Sequence, residues 1–333
     1  MLVRSCDVVI VGAGFAGCAT AWALATRGIR TIVLEREARP GHHASGRGAG
    51  LGRQLADDDD TSALTIRGAA MLRDRFATAW SPTGGILTFD DPQLLASYVV
   101  RARALDVPHE VIDRAAVLRH WPAMTGLAIE AALLLPRDGV IDIRALLAMF
   151  AQGIDIEYGV RVTAIDAGQI ETSHGAIQAR VVVDASGAWA GATTGAPPLE
   201  ALKRHLFALE AAPSRASYLW HLGATELYVR GDGDGLLACP CDAEPTPAAD
   251  QQPDPDADAR MARIEAAGLR APISRRWACQ RAFAPDRRMR IGRDPARPWL
   301  VWAAALGGHG ATASPAVGEL AATAVIEALD SAH

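Results

Sequence analysis

Apolar residues fall along this chain in runs that alternate between strand length and helix length. Residues 7–11 form a short apolar run of strand type, and a stretch rich in Ala, Leu and Trp continues at helical length as far as Gly28. A second apolar run, 31–34, stops at Glu35. This order predicts a strand, a helix and a second strand at the start of the chain. The acidic run 57–60 predicts a helix entry, because negative charge suits a helix N-terminus. Helices are expected over 62–79 and 93–105, with the strand Gly85–Phe89 between them. Residues 107–112 read as a strand and 114–121 as a short helix stopped by Pro122. Residues 133–142 read as a strand and turn leading into a helix over 142–151. Short strands between Ile154 and Ile177 are separated by Gly159, Gly168 and Gly175.

Residues 179–183 are nearly all apolar, as a parallel strand covered on both faces should be, and they run into a small-residue loop, 184–189. The texture changes over 202–277, where strand-like pieces (206–211, 226–230 and 236–239) alternate with turn residues. Residues 240–259 are rich in Pro, Asp, Ala and Gln, which predicts an exposed or mobile loop, followed by a helix over 259–267. The chain then closes with a strand over 299–305, a glycine turn over 306–310 and a helix over 315–329. No internal repeat is visible.

The joint between the first strand and the first helix carries the sharpest chemistry. It reads Gly12-Ala13-Gly14-Phe15-Ala16-Gly17, and the acid Glu35 ends the next strand. This is the dinucleotide fingerprint in its full setting. Gly12 permits the tight turn, Gly14 lets the backbone approach a pyrophosphate, and Gly17 lets the helix pack close to the sheet. The helix N-terminus offers unpaired N–H groups and a positive dipole end to phosphate. Glu35 can accept from both hydroxyls of an adenosine ribose, which argues against a 2′-phosphate. A second glycine-rich loop, 36–50, follows at once and carries Arg36, His43, Ser45 and Arg47. Such a loop beside a pyrophosphate site suits a cofactor larger than NAD.

Composition narrows this picture. The chain has 333 residues, enough for two domains, and half are hydrophobic, yet no apolar run reaches membrane-spanning length. The first strand starts almost at Met1, so no signal peptide is expected, and the protein reads as cytoplasmic. A net charge of −5 disfavours nucleic acid as partner. The five cysteines make no framework, and Cys239-Pro240-Cys241 lacks a second pair at zinc spacing, so no metal site is expected.

In the same order along the chain stand GAGFAG, Glu35, HASGRGAG, VVVDASGAWA, PDRRMRIGRDP and GGHGATASPAVGELAA. This set resembles the D-amino acid oxidase-like FAD-dependent oxidoreductase family. PTGGILTFDDPQ, LPRDGVIDIRAL and ELYVRGDGDGLLACP are similar to its D-amino acid dehydrogenase branch, including the D-arginine dehydrogenase type. The resemblance implies an α/β fold: a Rossmann-like FAD-binding domain with an inserted α+β substrate domain built on a mixed or antiparallel sheet. Residues 1–75, 135–197 and 286–333 would form the first, and 76–134 and 198–285 the second.

By the same resemblance, Gly12, Gly14, Phe15, Ala16 and Gly17 hold the pyrophosphate, and Glu35 and Arg36 the adenosine side. His43, Ala44, Ser45, Gly46, Arg47 and Gly48 line the pyrophosphate and flavin. Val162 presents its backbone to adenine, and Ala185, Ser186, Gly187 and Trp189 pass beside the cofactor. Gly307, Gly308, His309, Gly310, Ala311 and Thr312 lead into the last helix, whose N-terminus would meet the flavin. Arg281 takes the position of the family's carboxylate-binding arginine, and Tyr228 that of its substrate-side tyrosine. Arg204 and His205 stand where the branch has a basic pair. A histidine placed like His43, or a cysteine near the position of Cys279, carries the flavin covalently in some relatives. The flanking residues here differ, so non-covalent FAD is expected.

The implied reaction is oxidation of an amino acid, the D-enantiomer by branch, at its Cα–N bond. An imino acid would result, hydrolysing to a 2-keto acid and ammonia, with oxygen, a quinone or another carrier as electron acceptor. A secondary amine such as sarcosine, glycine or proline, or a 2-hydroxy acid, would use the same carboxylate clamp. A non-catalytic or RNA-modifying FAD protein is the reading from another class.

Overall fold

The computed structural model describes residues 4–212, 214 and 216–331. The strand Arg4–Val11 is the axis of an eight-stranded sheet. It pairs in parallel with Thr31–Glu35 on one side and Gly175–Asp184 on the other. Asp155–Tyr158 and Leu300–Ala304 extend the parallel array outward. Val8, Val9 and Ile10 are fully buried, as a strand covered by helices on both faces requires. Val162–Asp166, Gln169–Thr172 and Arg290–Arg293 add antiparallel edges.

The helices on this sheet meet through small residues. A Cβ on Gly318, in the closing helix Gly310–Asp330, would lie 2.5 Å from the Ala19 backbone of the first helix, Phe15–Ala25. A Cβ on Gly68, in the helix Asp59–Arg75, would lie 2.0 Å from the Thr312 carbonyl. Contacts this close leave no room for a methyl group. They bring the N-termini of the first and closing helices to the same end of the sheet, at the carboxyl ends of its strands, where open α/β sheets bind ligands.

The second sheet is nine-stranded and mostly antiparallel. Glu200–Leu209 pairs with Ile273–Phe283 and with Gly235–Cys239. The array continues through Leu227–Asp232, Tyr218–Leu222, Gly85–Phe89, Ala131–Leu135 and Glu110–Ile112. Three elements depart from expectation. The closing helix begins at Gly310 rather than at Pro315. Pro315 cannot donate to the Ala311 carbonyl, but the Ser314 hydroxyl does so at 3.1 Å, and the helix runs through. Tyr218–Leu222 and Ile273–Phe283 are strands that the sequence pattern does not announce, the latter because ISRRWACQRAF shows no clean alternation. The Pro/Asp-rich segment is pinned, not loose. Lys203 and Arg260 both ion-pair with Asp254, and the Asp254 N–H donates to His205 Nε2 at 3.1 Å. Among the described residues no helix is long and apolar enough to cross a membrane.

Candidate active site

A single elongated cavity of about 460 Å³ runs from the first fingerprint to the second sheet. At its nucleotide end Gly12 has φ +99°, and a Cβ there would sit 2.7 Å from the Ala185 carbonyl. A Cβ on Gly17 would sit 1.9 Å from the Gly12 carbonyl, so Gly17 lets the helix seat against its own turn and does not line the cavity. Gly46 does the same for its loop, 2.2 Å from the Gly41 carbonyl. Gly12, Gly14, Phe15 and Ala16 do line the cavity. Gly14 at the N-cap offers the first helix no side chain; Ser45 Oγ accepts from the Phe15 N–H at 2.9 Å and leaves the following N–H groups open.

Glu35 is buried and lines the same end. Its carboxylate accepts from the Ala13 N–H at 2.7 Å and the Glu37 N–H at 2.9 Å, which leaves lone pairs free for ribose hydroxyls. Val162 also lines this end, where the ladder slips between Val162 and Ala164. Asp184 shapes the loop opposite. It accepts from Ser186 Oγ at 2.5 Å and from the Gly191 N–H at 2.9 Å, and burial raises its pKa. Ala185, Ser186, Gly187 and Trp189 are thereby held along the wall.

His43 belongs to a polar knot at this wall. Its Nε2 lies 2.9 Å from Glu37 Oε1 and 2.9 Å from Arg36 Nη2, and the Arg36 guanidinium stacks 3.7 Å over Trp189. Burial lowers the His43 pKa, with Glu37 opposing. The ligand atoms of Glu37, His42 and His43 lie within 4.8 Å of one another, but the Arg36 cation already bonds two of them, Glu37 at 3.0 Å and His43 at 2.9 Å. Ala44, Ser45, Arg47 and Gly48 line the adjoining loop. Arg47 reaches across the cavity mouth, donating to the His42 and Gln251 carbonyls and pairing with Asp250 at 2.5 Å.

The far end is built by one face of the second sheet. Register pairs Trp220 with Tyr228, Tyr228 with Cys239, and Arg204 with Cys279. Directly opposed residues share a face, as do residues two apart, so Arg281 joins Cys279 and Leu206 joins Arg204. Arg204, Leu206, Trp220, Tyr228, Cys279 and Arg281 line the cavity. Arg204 is committed to the wall: it donates to the Cys241 carbonyl and Asp242 carbonyl, both at 3.1 Å, and to Cys241 Sγ at 3.3 Å. Its neighbour His205 faces away, against Asp242 at 2.6 Å. Arg281 is different. Among the described residues it has no hydrogen-bond or ion-pair partner, and its Nε is buried and unsatisfied. Burial, with the Arg204 charge second, lowers its pKa.

The closing helix enters here, again without a side-chain cap. Gly307, Gly308, Gly310 and Ala311 line the cavity, while His309 and Thr312 stand behind it. Thr312 Oγ1 donates to the Leu51 carbonyl at 3.0 Å, and His309 Nε2 lies 3.2 Å from Arg53 Nη2. Burial, with the Arg53 charge second, pushes the His309 pKa down to about 3. The sequence pattern gives no hint of Arg53. It is buried, stacks 4.0 Å over Trp220, and leaves Nε and Nη1 unsatisfied. Trp220 itself lies on a strand that the pattern does not predict.

Two open helix N-termini on one cavity, with glycines that exclude any Cβ, form a dinucleotide cradle, and the chamber beyond it is walled by cations. Fold and site together define a dinucleotide-binding protein with a cation-walled chamber beside the nucleotide site. The family profile described as FAD dependent oxidoreductase (DAO) matches residues 7–324, and the chain belongs to that family. FAD is its cofactor, and the two uncapped helices and the Glu35 carboxylate fit it. Mitochondrial sarcosine dehydrogenase of Mus musculus is 29% identical over 213 residues, covering 57% of this chain and 23% of that protein. The tRNA 5-methylaminomethyl-2-thiouridine biosynthesis bifunctional protein MnmC of Methylibium petroleiphilum is 41% identical over 81 residues, covering 24% of this chain and 12% of that one. The chain thus matches less than a quarter of the length of these curated relatives. The crystal structure of L-proline dehydrogenase from P. horikoshii superposes with a TM-score of 0.89 at 21% identity, covering 98% of this chain and 94% of that one.

Proposed function

We propose that this protein oxidises the Cα–N bond of a free amino acid whose carboxylate is held by Arg281. The unpartnered Arg281 guanidinium carries the proposal. A half-buried cation with a buried, unsatisfied Nε and free donors suits an anion, and a planar fork takes both carboxylate oxygens in parallel. Tyr228 and Trp220 wall the substrate on the opposite strands and exclude water. Bound FAD supplies the two-electron acceptor for the hydride leaving Cα. The chain's contribution is to fix the acid, strip its water and hold the amine neutral, so positioning and charge neutralisation lower the barrier. No side-chain base is needed, because the amine's own lone pair drives loss of hydride. The imino acid then hydrolyses in water.

The motif resemblance favours a D-amino acid. The names of sarcosine dehydrogenase and L-proline dehydrogenase favour a secondary amine as the second reading. FAD is bound non-covalently in this proposal: burial raises the Cys279 thiol to about 11, and His43 Nε2 is engaged by Glu37 and Arg36. The net charge of −5 speaks against nucleic acid as a substrate. Anaerobic titration of the holoprotein with D- and L-amino acids, sarcosine, proline and 2-hydroxy acids tests all of this. Bleaching of the flavin by an amine is expected, and bleaching by hydroxy acids alone overturns it. Oxygen consumption with the bleaching substrate then separates oxidase from dehydrogenase.

A further inference from the structure

The pair Cys239 and Cys241 lies directly behind the cation-walled chamber, and the reaction above has no use for it. Both thiols are buried. Cys239 ends its strand opposite Tyr228, and Pro240 stops the ladder by removing its N–H. Residues i and i+2 of an extended strand stand about 6.8 Å apart on one face, at the edge of what a disulfide spans. The chain does not stay extended. Cys241 has φ +53°, a left-handed conformation that a side chain enters only at a cost, and its N–H points back at Cys239 Sγ at 3.4 Å. A strained turn that folds one thiol back onto the other calls for an explanation beyond packing.

The two sulfurs are also unlike. Arg204 Nη1 donates to Cys241 Sγ at 3.3 Å and places its charge between the pair. Burial works to raise the Cys239 pKa, but hydrogen bonding with Cys241, the Arg204 charge and the Tyr228 hydroxyl overcome it. The Cys241 thiol is held well above its usual range, by burial first and by Cys239 next. The backbone N–H that donates to Cys239 Sγ favours the thiolate there, which makes Cys239 the attacking sulfur and Cys241 the thiol that resolves it. The pair stands one side chain behind the cavity: Tyr228, Arg204 and Cys279 line it, so a small reagent has one layer of side chains to pass before it meets the thiols.

We propose that Cys239 and Cys241 form a redox-active dithiol that closes to a disulfide when a peroxide enters the substrate chamber. The Cys239 thiolate attacks one oxygen of hydrogen peroxide, the O–O bond breaks, hydroxide leaves and takes up a proton, and Cys239 becomes a sulfenic acid. The Cys241 sulfur then attacks the Cys239 sulfur, the S–O bond breaks and the S–S bond forms. The Cys241 proton leaves with the departing hydroxide as water. In balance, two thiols and one peroxide give one disulfide and two waters.

The test uses the folded holoprotein, exposed to a small excess of hydrogen peroxide, quenched with catalase and alkylated in denaturant. Peptide mapping without reductant is expected to show Cys239 linked to Cys241, with Cys6, Cys18 and Cys279 alkylated. The thiol count falls by two and returns with dithiothreitol. In Cys241→Ser the reaction stops one step earlier, and dimedone labels Cys239. In Cys239→Ser, Cys241 stays a thiol. The bound-flavin spectrum reports that each variant is folded. Recovery of Cys239 and Cys241 as free thiols in folded protein while Cys6 or Cys279 is oxidised overturns the proposal. So does dimedone labelling of Cys241 in place of Cys239.

Discussion

The two ends of the cavity are made of different materials. The nucleotide end is backbone: glycines, helix N-termini and carbonyls brought so close that a Cβ would lie 1.9 Å from Gly12 O or 2.2 Å from Gly41 O. The far end is side chain: guanidiniums, an indole, a phenol and a thiol projecting from one sheet face. A site of the first kind fails when any atom is added. A site of the second kind tolerates changes of size better than changes of charge, because Arg281 stands in it with no ion-pair partner among the described residues.

The sharpest way to break this contrast is to add one methyl at the nucleotide end. Gly17→Ala forces the helix off its turn at a cost of about 3 kcal/mol or more. The purified protein should carry little or no FAD, read as the flavin-to-protein absorbance ratio; full flavin content would show that the backbone end is tolerant after all. Next comes charge at the other end. Arg281→Met should lower kcat/KM for a carboxylate substrate by roughly a hundredfold to a thousandfold, about 3–4 kcal/mol, with FAD content unchanged. Arg281→Lys keeps the charge but loses the fork, and about tenfold should be lost. Equal activity of the two variants would mean that charge without the fork contributes nothing at this end.

Behind the boundary stands His309. Its folded pKa is depressed to about 3, so the native ring is neutral, while the unfolded chain takes up a proton below about 6.5. Stability carried by the neutral ring is therefore complete above that value and is lost as pH falls from there toward 3. His309→Asn should thus gain on the native protein by roughly 2 kcal/mol between pH 7 and pH 5, measured by urea denaturation at each pH. A pH-independent difference between the two would contradict a buried neutral imidazole. The smallest effect is expected outside both ends. Arg260 joins Asp242, Asp254, Glu244 and Asp256 over the Pro/Asp-rich segment. Arg260→Ala should cost about 1 kcal/mol or less and speed proteolysis within 240–258, leaving flavin content alone.

The same contrast explains what the amino-acid sequence discloses. Gly12, Gly14, Gly17 and Glu35 act through local backbone geometry, so a spacing of a few residues is enough to recognise them. Trp220, Arg53 and the Cys239–Cys241 pair act through strand register and long-range stacking. Nothing within a short window records that Tyr228 falls between Trp220 and Cys239. Arg281 was legible only because a family resemblance marked its position. The Pro/Asp-rich segment misleads for a related reason. Its composition favours disorder, but Lys203 from another strand and Arg260 at its own end neutralise its acids.

Arg47 belongs to the cofactor loop, yet its hydrogen bonds end on Gln251 and Ala278, and Trp277 Nε1 donates to its carbonyl at 2.9 Å. That latch imposes an order on assembly. Because Arg47 and Gln251 both line the cavity, apoprotein in which that latch is tied should take up FAD slowly, at the rate the knot loosens.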